Sequence, residues 1–162
     1  MFQFLKKKKE VEVGAVVKGT VKNLNEVKDP VFANGLAGRG IAIVPKEGTF
    51  KAPCDGVLSA VFPTGHAFGI TDEKGIEYLI HIGIDTVSLN GEGFQCMVSQ
   101  GQTVKKGDIL AQVDLKVLES KNLSADTMVL VSTPEEQCNI TYTKKKDDEV
   151  CAGDTIFCCE KK

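Results

Sequence analysis

Short apolar runs separated by glycine-containing turns extend through most of the chain. Segments such as Ile41–Val44, Asp108–Val113 and Met128–Ser132 have the length and apolar content of strands. Asp114–Lys121 is the one helical candidate, with Asp114 as its N-cap. Many short strands with regularly spaced turns predict an all-β fold, an antiparallel β-sandwich or flattened barrel with at most short helical turns.

Two of these apolar runs flank the polar turn Thr71–Ile76, and each carries one of the two histidines of the chain. This pattern predicts a β-hairpin. A loop of two or four residues places His66 directly opposite His81, with Cβ atoms roughly 4.5–5.5 Å apart. A loop of odd length or a bulge would break that pairing.

Period-two alternation along the second run assigns its side chains to two faces. Ile80, Ile82 and Ile84 share the face predicted to meet the core. His81 then points outward or into a shallow depression, with Gly83 beside it leaving access open. A lone strand histidine is usually a hydrogen-bonded surface residue, whereas two opposed histidines form a candidate site.

Length and charge place the chain among ordinary globular proteins. With 162 residues and a formal net charge of −2, it can bury a real core and has no global field that favours nucleic acid. No apolar stretch approaches the roughly 18 residues that span a bilayer, and Met1–Lys9 lacks the features of a signal peptide. We therefore expect a cytoplasmic location.

We expect residues 1–13 to form a flexible N-terminal arm and residues 14–162 to form a single domain. The arm carries Phe2, Phe4 and Leu5 before four lysines, so it could touch an anionic membrane surface weakly or simply be a solvated end. The six cysteines show no Cys-x-x-Cys spacing and are predicted to be reduced thiols, mostly packed as small apolar residues.

Opposed imidazoles can bind a metal, perform acid–base or nucleophilic chemistry, or simply hydrogen-bond. A metal hydrolase needs about three protein ligands and a base, of which His66, His81 and Asp85 supply only part. A neutral imidazole can instead accept a phosphoryl group while a second imidazole donates an N–H to the phosphoryl oxygens. Thr64 can fix the tautomer of His66 through its hydroxyl.

The source of such a phosphoryl group would be another protein, because the chain has neither a P-loop nor a dinucleotide-binding fingerprint. Apolar residues in predicted loops, or on the strand face opposite the isoleucines, suggest a docking surface for it, unless they close a second core layer. These residues are Val31, Phe32, Leu36, Phe62, Leu79 and Val87.

Four segments closely resemble the glucose-family IIA component of the bacterial phosphoenolpyruvate-dependent sugar phosphotransferase system. They are Pro63–Ala67, Leu79–Val87, Leu89–Phe94 and Gly38–Ile43, within a resemblance running from Gly14 to Phe157. The resemblance implies an antiparallel β-sandwich without an intrinsic cofactor. It also implies a phosphocarrier that accepts a phosphoryl group from the histidine-containing phosphocarrier protein and passes it to a cysteine on the IIB domain of a membrane sugar permease.

The same resemblance implies roles for individual residues. His81 would be phosphorylated at Nε2, His66 would hydrogen-bond the phosphoryl group, and Thr64 would orient His66. Asp29 and Asp85 would meet arginine or lysine on partners, and the six apolar residues would form the docking patch. In some relatives the histidine pair binds zinc together with a partner carboxylate, and regulatory partners are also expected.

Three residues depart from the family pattern. Arg39 stands where the family often has an acid, so it is expected to change the charge at the rim of the docking surface. Gly65 replaces a bulkier residue before His66 and is expected to loosen that turn, and Pro30 lies inside the docking loop. These departures bear on partner affinity rather than on the chemistry.

Three other interpretations remain open at this stage. A zinc hydrolase of the cell-wall peptidase type would need a further His-x-His pair, which the chain lacks. A lipoyl or biotinyl carrier would need a lysine at a hairpin tip in a Met-Lys-Met or Asp-Lys-Ala setting, whereas Lys74 lies in Glu-Lys-Gly. A purely regulatory binding module would use the docking surface without phosphorylation of His81.

Overall fold

The computed structural model describes residues 10–162, which form fourteen strands and two short helices. The strands are β1 (Glu10–Gly14), β2 (Gly19–Lys22), β3 (Arg39–Pro45), β4 (Thr49–Lys51), β5 (Gly56–Val61), β6 (Ala67–Thr71), β7 (Glu77–Ile82), β8 (Phe94–Cys96), β9 (Thr103–Val104), β10 (Ile109–Val113), β11 (Thr127–Val131), β12 (Cys138–Tyr142), β13 (Glu149–Val150) and β14 (Thr155–Lys161). The helices are α1 (Pro30–Ala33) and α2 (Leu115–Ser120), and 3₁₀ turns cover Leu24–Glu26, Thr86–Leu89 and Glu135–Gln137.

Three sheets build the sandwich, and all of their strand pairings are antiparallel. The largest sheet has the order β13-β2-β3-β11-β7-β6-β5-β9, and two smaller sheets have the orders β1-β14-β12 and β4-β10-β8. The main core draws fully buried side chains from all three, among them Phe50, Ile80 and Phe157. The predicted all-β antiparallel fold with short helical turns is confirmed.

A second, smaller apolar cluster covers the other face of the large sheet at its centre. It joins Ala42 of β3 and Met128 of β11 to Phe32 of α1 and to Ile84. Ala42, Met128 and His81 face one another in a row across β3, β11 and β7. The central strands therefore have apolar cover on both faces, and β11 is buried at every position.

The ordered domain includes residues that were predicted to belong to the flexible arm. Strand β1, Glu10–Gly14, pairs with β14, and Val13 is fully buried. Residues 10–13 were predicted to belong to the arm, and this is corrected because they pair with β14 as part of β1. The membrane contact predicted for Phe2, Phe4 and Leu5 falls in residues 1–9, outside the described residues. No helix within residues 10–162 combines the length and the apolar character that crossing a bilayer requires.

All six cysteines lie in the described part of the chain, and there they are free thiols. Cys54, Cys138 and Cys159 are buried, in the manner predicted for small apolar residues, whereas Cys96 and Cys151 are exposed. Burial raises the pKa of both Cys54 and Cys159 to about 12, so these thiols stay protonated.

Strands β6 and β7 form the predicted hairpin, but their register differs from the prediction. Ala67, not His66, lies opposite His81, so the predicted pairing is wrong by one residue. The loop has an odd length, because Asp72 N–H donates to the Ile76 carbonyl at 3.0 Å and encloses three residues. Gly75 closes this loop with a φ of 84°, a left-handed value that glycine adopts without steric cost.

The alternation along β7 ends one residue after His81. Ile80 and Ile82 are buried in the main core as predicted. Gly83 has a φ of 80°, which turns the chain out of the strand. Ile84 consequently packs in the second cluster beside Phe32, so its assignment to the main core face was wrong.

A single buried carboxyl group, that of Asp72, holds the hairpin loop. Its Oδ1 accepts hydrogen bonds from the N–H groups of Lys74 at 2.8 Å and Ile76 at 3.0 Å. Its Oδ2 accepts a hydrogen bond from the Tyr78 hydroxyl at 2.7 Å. Burial raises the pKa of the Tyr78 hydroxyl, which keeps it protonated as a donor. These bonds stabilise the three-residue loop and with it the register of β6 on β7.

Replacement of Asp72 by alanine is expected to lower the free energy of unfolding by roughly 1–3 kcal/mol, because the buried Tyr78 hydroxyl loses its acceptor. Urea denaturation measures this change. Glu73→Ala, an exposed substitution in the same loop, is the matched control and is expected to stay within about 0.5 kcal/mol of wild type. Equal effects of the two substitutions would contradict a special role for Asp72.

Candidate functional site

The two imidazole rings face each other at one end of the hairpin. Their centroids are 5.0 Å apart and their planes are inclined by 78°. His81 lies near the end of β7, whereas His66 precedes the first residue of β6. A tight turn leads into His66, with Gly65 at φ 74° and its N–H donating to the Phe62 carbonyl at 2.8 Å. Since His66 is outside the strand pleat, its ring reaches His81 despite the shifted register.

The His81 ring is oriented by a backbone carbonyl. Its Nδ1 lies 2.8 Å from the Gly83 oxygen. A carbonyl oxygen only accepts hydrogen bonds, so Nδ1 carries the hydrogen and Nε2 of the neutral ring keeps a free lone pair. Sequence reasoning missed this contribution of Gly83, which it had treated only as a small neighbour. The signal available was a glycine two positions after the histidine, where a strand ends.

His66 is buried, with 3% of its surface exposed. Its Nδ1 is hydrogen-bonded to the Thr64 hydroxyl, so the structure brings together the two residues that the resemblance paired. The ring of Phe62 packs edge-on against it, with centroids 5.5 Å apart. When the Thr64 hydroxyl donates to Nδ1, the hydrogen of the neutral ring lies on Nε2, which leaves that nitrogen as a donor.

Both rings are held in the neutral form. Burial, assisted by the positive charge that His81 would carry, lowers the pKa of His66 from 6.5 to about 4. Burial also lowers the pKa of His81, although the hydrogen bond to Gly83 and the charges of Asp29 and Asp85 oppose that effect. At neutral pH the site therefore offers an unprotonated ring nitrogen next to an uncharged donor.

Phe32 differs from its predicted place on the docking surface. It is only 7% exposed, and its ring centroid lies 4.8 Å from that of His81. It packs with Met128 in the second cluster, where burial of such a side chain contributes roughly 1.5–3 kcal/mol. Phe32 is thus a wall of the histidine pocket, and the half-buried Leu79 packs against the same cluster. The second core layer considered as an alternative is correct for these two residues.

The other four predicted apolar residues are exposed, and we call them the apolar patch. They are Val31 at 48%, Leu36 at 76%, Phe62 at 44% and Val87 at 56% exposure. Phe62 contacts the His66 ring directly. Val31 precedes Phe32 in α1, and Leu36 N–H donates to the Val31 carbonyl at 3.0 Å. Within the patch, Phe62 therefore lies against the His66 ring, and Val31 is next in the chain to Phe32, which packs on the His81 ring.

Two carboxylates lie close enough to His81 for their charges to raise its pKa. Asp29 caps α1, where its Oδ1 accepts a hydrogen bond from Val31 N–H at 2.9 Å. Asp85 is exposed and has a left-handed φ of 59° in the turn after Gly83. Acidic groups thus lie beside an apolar surface, an arrangement that complements an apolar partner surface edged with cations.

The three departures from the family pattern leave the pocket intact. The Arg39 guanidinium donates to the Cys138 carbonyl at 3.2 Å, and Arg39 lines a surface pocket together with Leu36, so its expected effect on the charge at the rim of the docking surface stays a prediction. Gly65 suits the left-handed φ of its turn. Pro30 is the first residue of α1, a position where its missing N–H has no cost.

Within residues 10–162, no three His, Cys, Asp or Glu side chains converge in a way that could hold a metal ion. The histidine pair by itself offers two ring nitrogens. The predicted zinc site completed by a partner carboxylate stays a prediction.

Comparisons with known proteins agree with this fold. Residues 11–137 match the family described as phosphoenolpyruvate-dependent sugar phosphotransferase system, EIIA 1. The glucose-specific EIIA component of Haemophilus influenzae is 40% identical over 153 residues, which cover 94% of this chain and 90% of that protein. The structure of glucose permease IIA from Mycoplasma capricolum is 42% identical with a TM-score of 0.85, covering 93% of this chain and 96% of that one.

A longer relative carries the same region as a small part of its length. The β-glucoside-specific EIIBCA component of Halalkalibacterium halodurans is 40% identical over 146 residues, which cover 90% of this chain but 23% of that protein. Fold and site together define a β-sandwich phosphotransferase component. The chain belongs to the EIIA 1 family of the phosphoenolpyruvate-dependent sugar phosphotransferase system. Membership implies a role in phosphoryl transfer during sugar uptake, with a phosphocarrier and a IIB domain as the interacting proteins.

The lowered pKa of His66 predicts that the folded protein loses stability as the pH falls. Below about pH 6.5 the unfolded chain binds a proton on His66, whereas the folded chain does not do so until about pH 4. Between pH 7 and pH 5 the loss is expected to be on the order of 1–2 kcal/mol. Urea denaturation at both pH values measures it.

The variant His66→Gln cannot bind this proton and is expected to lose correspondingly less stability over the same interval. An NMR titration of the ring resonances assigns the effect. A His66 resonance that titrates near pH 6.5 in the folded protein would show that burial does not control this ring.

Proposed function

We propose that His81 is the phosphoryl acceptor and that it reacts through Nε2. The observation that carries this proposal is the 2.8 Å contact between His81 Nδ1 and the Gly83 carbonyl, which leaves the Nε2 lone pair free. The donor is the histidine-containing phosphocarrier protein, and the final acceptor is a cysteine on the IIB domain of a membrane sugar permease. A cytoplasmic location goes with this proposal.

The transfer consists of two displacements at phosphorus. In the first, the Nε2 lone pair forms a P–N bond while the P–N bond of the donor phosphohistidine breaks and its electron pair returns to the donor ring. In the second, the IIB cysteine thiolate forms a P–S bond and the electron pair of the broken P–N bond returns to Nε2. The proton stays on Nδ1 of His81, hydrogen-bonded to the Gly83 carbonyl, throughout both steps, so neither step needs a net proton transfer.

His66 stabilises the phosphoryl group as a neutral hydrogen-bond donor. With the Thr64 hydroxyl on Nδ1, the Nε2–H of His66 is free to donate to a phosphoryl oxygen. Because burial lowers the pKa of His66 to about 4, this ring contributes a hydrogen bond rather than a positive charge. An uncharged donor stabilises the phosphoryl group without trapping it, which suits a carrier that must pass the group on.

Both partners bind across the apolar patch and the acidic pair. Apolar contact over Val31, Leu36, Phe62 and Val87 excludes water from the phosphoryl group during transfer. Asp29 and Asp85 add negative charge near a doubly negative phosphoryl group, which disfavours phosphorylation in isolation. Arginine or lysine on the partner would neutralise these carboxylates, so transfer is favoured only within the complex.

Phosphorylation by the complete relay tests the acceptor. The protein is incubated with phosphoenolpyruvate, enzyme I and the histidine phosphocarrier, and its intact mass is measured beside His81→Gln and His66→Gln. We expect one acid-labile phosphoryl group on wild type and none on His81→Gln. His66→Gln is expected to accept the group, because it keeps the acceptor nitrogen Nε2 of His81. It is expected to pass the group on slowly, because the imidazole that hydrogen-bonds the phosphoryl group is missing. Absence of labelling on wild type would refute the proposal.

The apolar patch is tested with a pair of identical charge insertions. Val87→Asp places a carboxylate inside the proposed interface and is expected to slow transfer from the phosphocarrier roughly 10-fold or more, through a higher KM. Val57→Asp is the matched control, because Val57 is 44% exposed and pairs with Thr71 at the opposite end of the hairpin. Equal transfer rates for the two variants would place docking elsewhere.

A further inference from the structure

The turn that presents the Gly83 carbonyl to His81 is held by Thr86. The Thr86 hydroxyl donates to the Ile82 carbonyl at 2.5 Å, and Thr86 is only 1% exposed. Its methyl group lies against the α-carbon of Gly83, where an added Cβ would be 2.4 Å from Thr86 Cγ2. One side chain therefore contacts Gly83 directly and binds the carbonyl of the residue before it.

This contact matters because glycine has more backbone freedom than any other residue. Two backbone bonds restrain the N–H groups of the turn, from Gly83 to the Asp126 carbonyl and from Ile84 to the Ser124 carbonyl, each at 3.0 Å. Thr86 supplies the side-chain restraint, since its hydroxyl holds the peptide group that enters Gly83 from the strand. The Gly83 carbonyl belongs to the next peptide group, and the torsion angles at Gly83, with φ 80°, set its direction relative to the peptide group that Thr86 holds.

We propose that Thr86 is a positioning residue for phosphoryl transfer, which it serves by holding the Gly83 carbonyl on Nδ1 of His81. This inference rests on the proposed function of His81. The Thr86 hydroxyl acts two contacts away from the reacting nitrogen, through Ile82 and Gly83. Its effect is to keep the ring in the tautomer whose Nε2 lone pair is available.

Loss of the hydroxyl has a defined chemical consequence. When the Gly83 carbonyl moves away from Nδ1, the neutral ring also populates the tautomer with its hydrogen on Nε2. A ring in that form has no lone pair at Nε2, the nitrogen proposed to accept the phosphoryl group. Acceptance of the phosphoryl group then slows for two reasons. A fraction of the His81 rings is in the unreactive Nε2–H tautomer, and the ring orientation is less restrained.

Three substitutions separate this role from general stability. Thr86→Val removes the hydroxyl and keeps the methyl, whereas Thr86→Ser keeps the hydroxyl and removes the methyl. Thr133→Val is the matched control, because Thr133 is buried and its hydroxyl accepts a hydrogen bond from Glu77 N–H at 2.8 Å at the other end of β7. Ring ¹⁵N chemical shifts report the tautomer of His81, and the relay assay reports the rate of acceptance.

We expect Thr86→Val to populate the Nε2–H tautomer of His81 and to accept the phosphoryl group roughly 3- to 10-fold more slowly. Thr86→Ser and Thr133→Val are expected to keep the wild-type tautomer, with near wild-type rates. Since a purely structural role of Thr86 would leave the tautomer unchanged, a wild-type ring spectrum in folded Thr86→Val would overturn the proposal.

Two further measurements keep the proposal testable if Thr86→Val does not fold. Thr86→Ala also lacks the hydroxyl and is expected to show the same tautomer shift. In the wild type the Nδ1–H tautomer of His81 must predominate, and predominance of the Nε2–H tautomer would overturn the proposal without any variant. The ring spectra need no phosphoryl donor, so failure of wild-type phosphorylation would refute the proposed function while the tautomer shift still decides the role of Thr86.

Discussion

Apolar burial on both faces of the central strands is the constraint on which the site depends. Ile80 and Ile82 of β7 point into the main core, and Met128 of β11 points into the second cluster under Phe32. The second layer desolvates the face that carries His81, which would otherwise be an ordinary solvated strand face. Desolvation lowers the pKa of His81 and leaves a neutral ring, which is the form that can act as a nucleophile.

Groups around His81 have opposing effects on its pKa. Burial favours the neutral ring, whereas the Gly83 carbonyl and the charges of Asp29 and Asp85 favour the protonated one. His66 has no such compensation, so its pKa falls further, to about 4. The difference separates the two imidazoles chemically, with one suited to accept a phosphoryl group and the other suited to hydrogen-bond it as a neutral donor.

Sequence patterns succeeded where the responsible forces are local. Short apolar runs indicated the strands, and Asp114 was correctly placed as the cap of α2, where its Oδ1 accepts a hydrogen bond from Lys116 N–H at 3.0 Å. The hairpin register failed because it depends on loop length, and the three-residue loop depends on the buried carboxyl of Asp72. The hydrogen bond from the Arg39 guanidinium to the Cys138 carbonyl could not be predicted, because the two residues are distant in sequence.

By itself, the sequence determined the all-β class, the hairpin that carries both histidines, and the family, because alternation, turn residues and motifs are properties of contiguous residues. Only the tertiary structure decided which nitrogen of His81 is free, how far each imidazole is desolvated, and that Phe32 is buried against the His81 ring. Those properties arise where α1, β7, β11 and the turn after Gly83 meet. Packing between segments far apart in the chain sets solvation and ring orientation, and no local pattern encodes them.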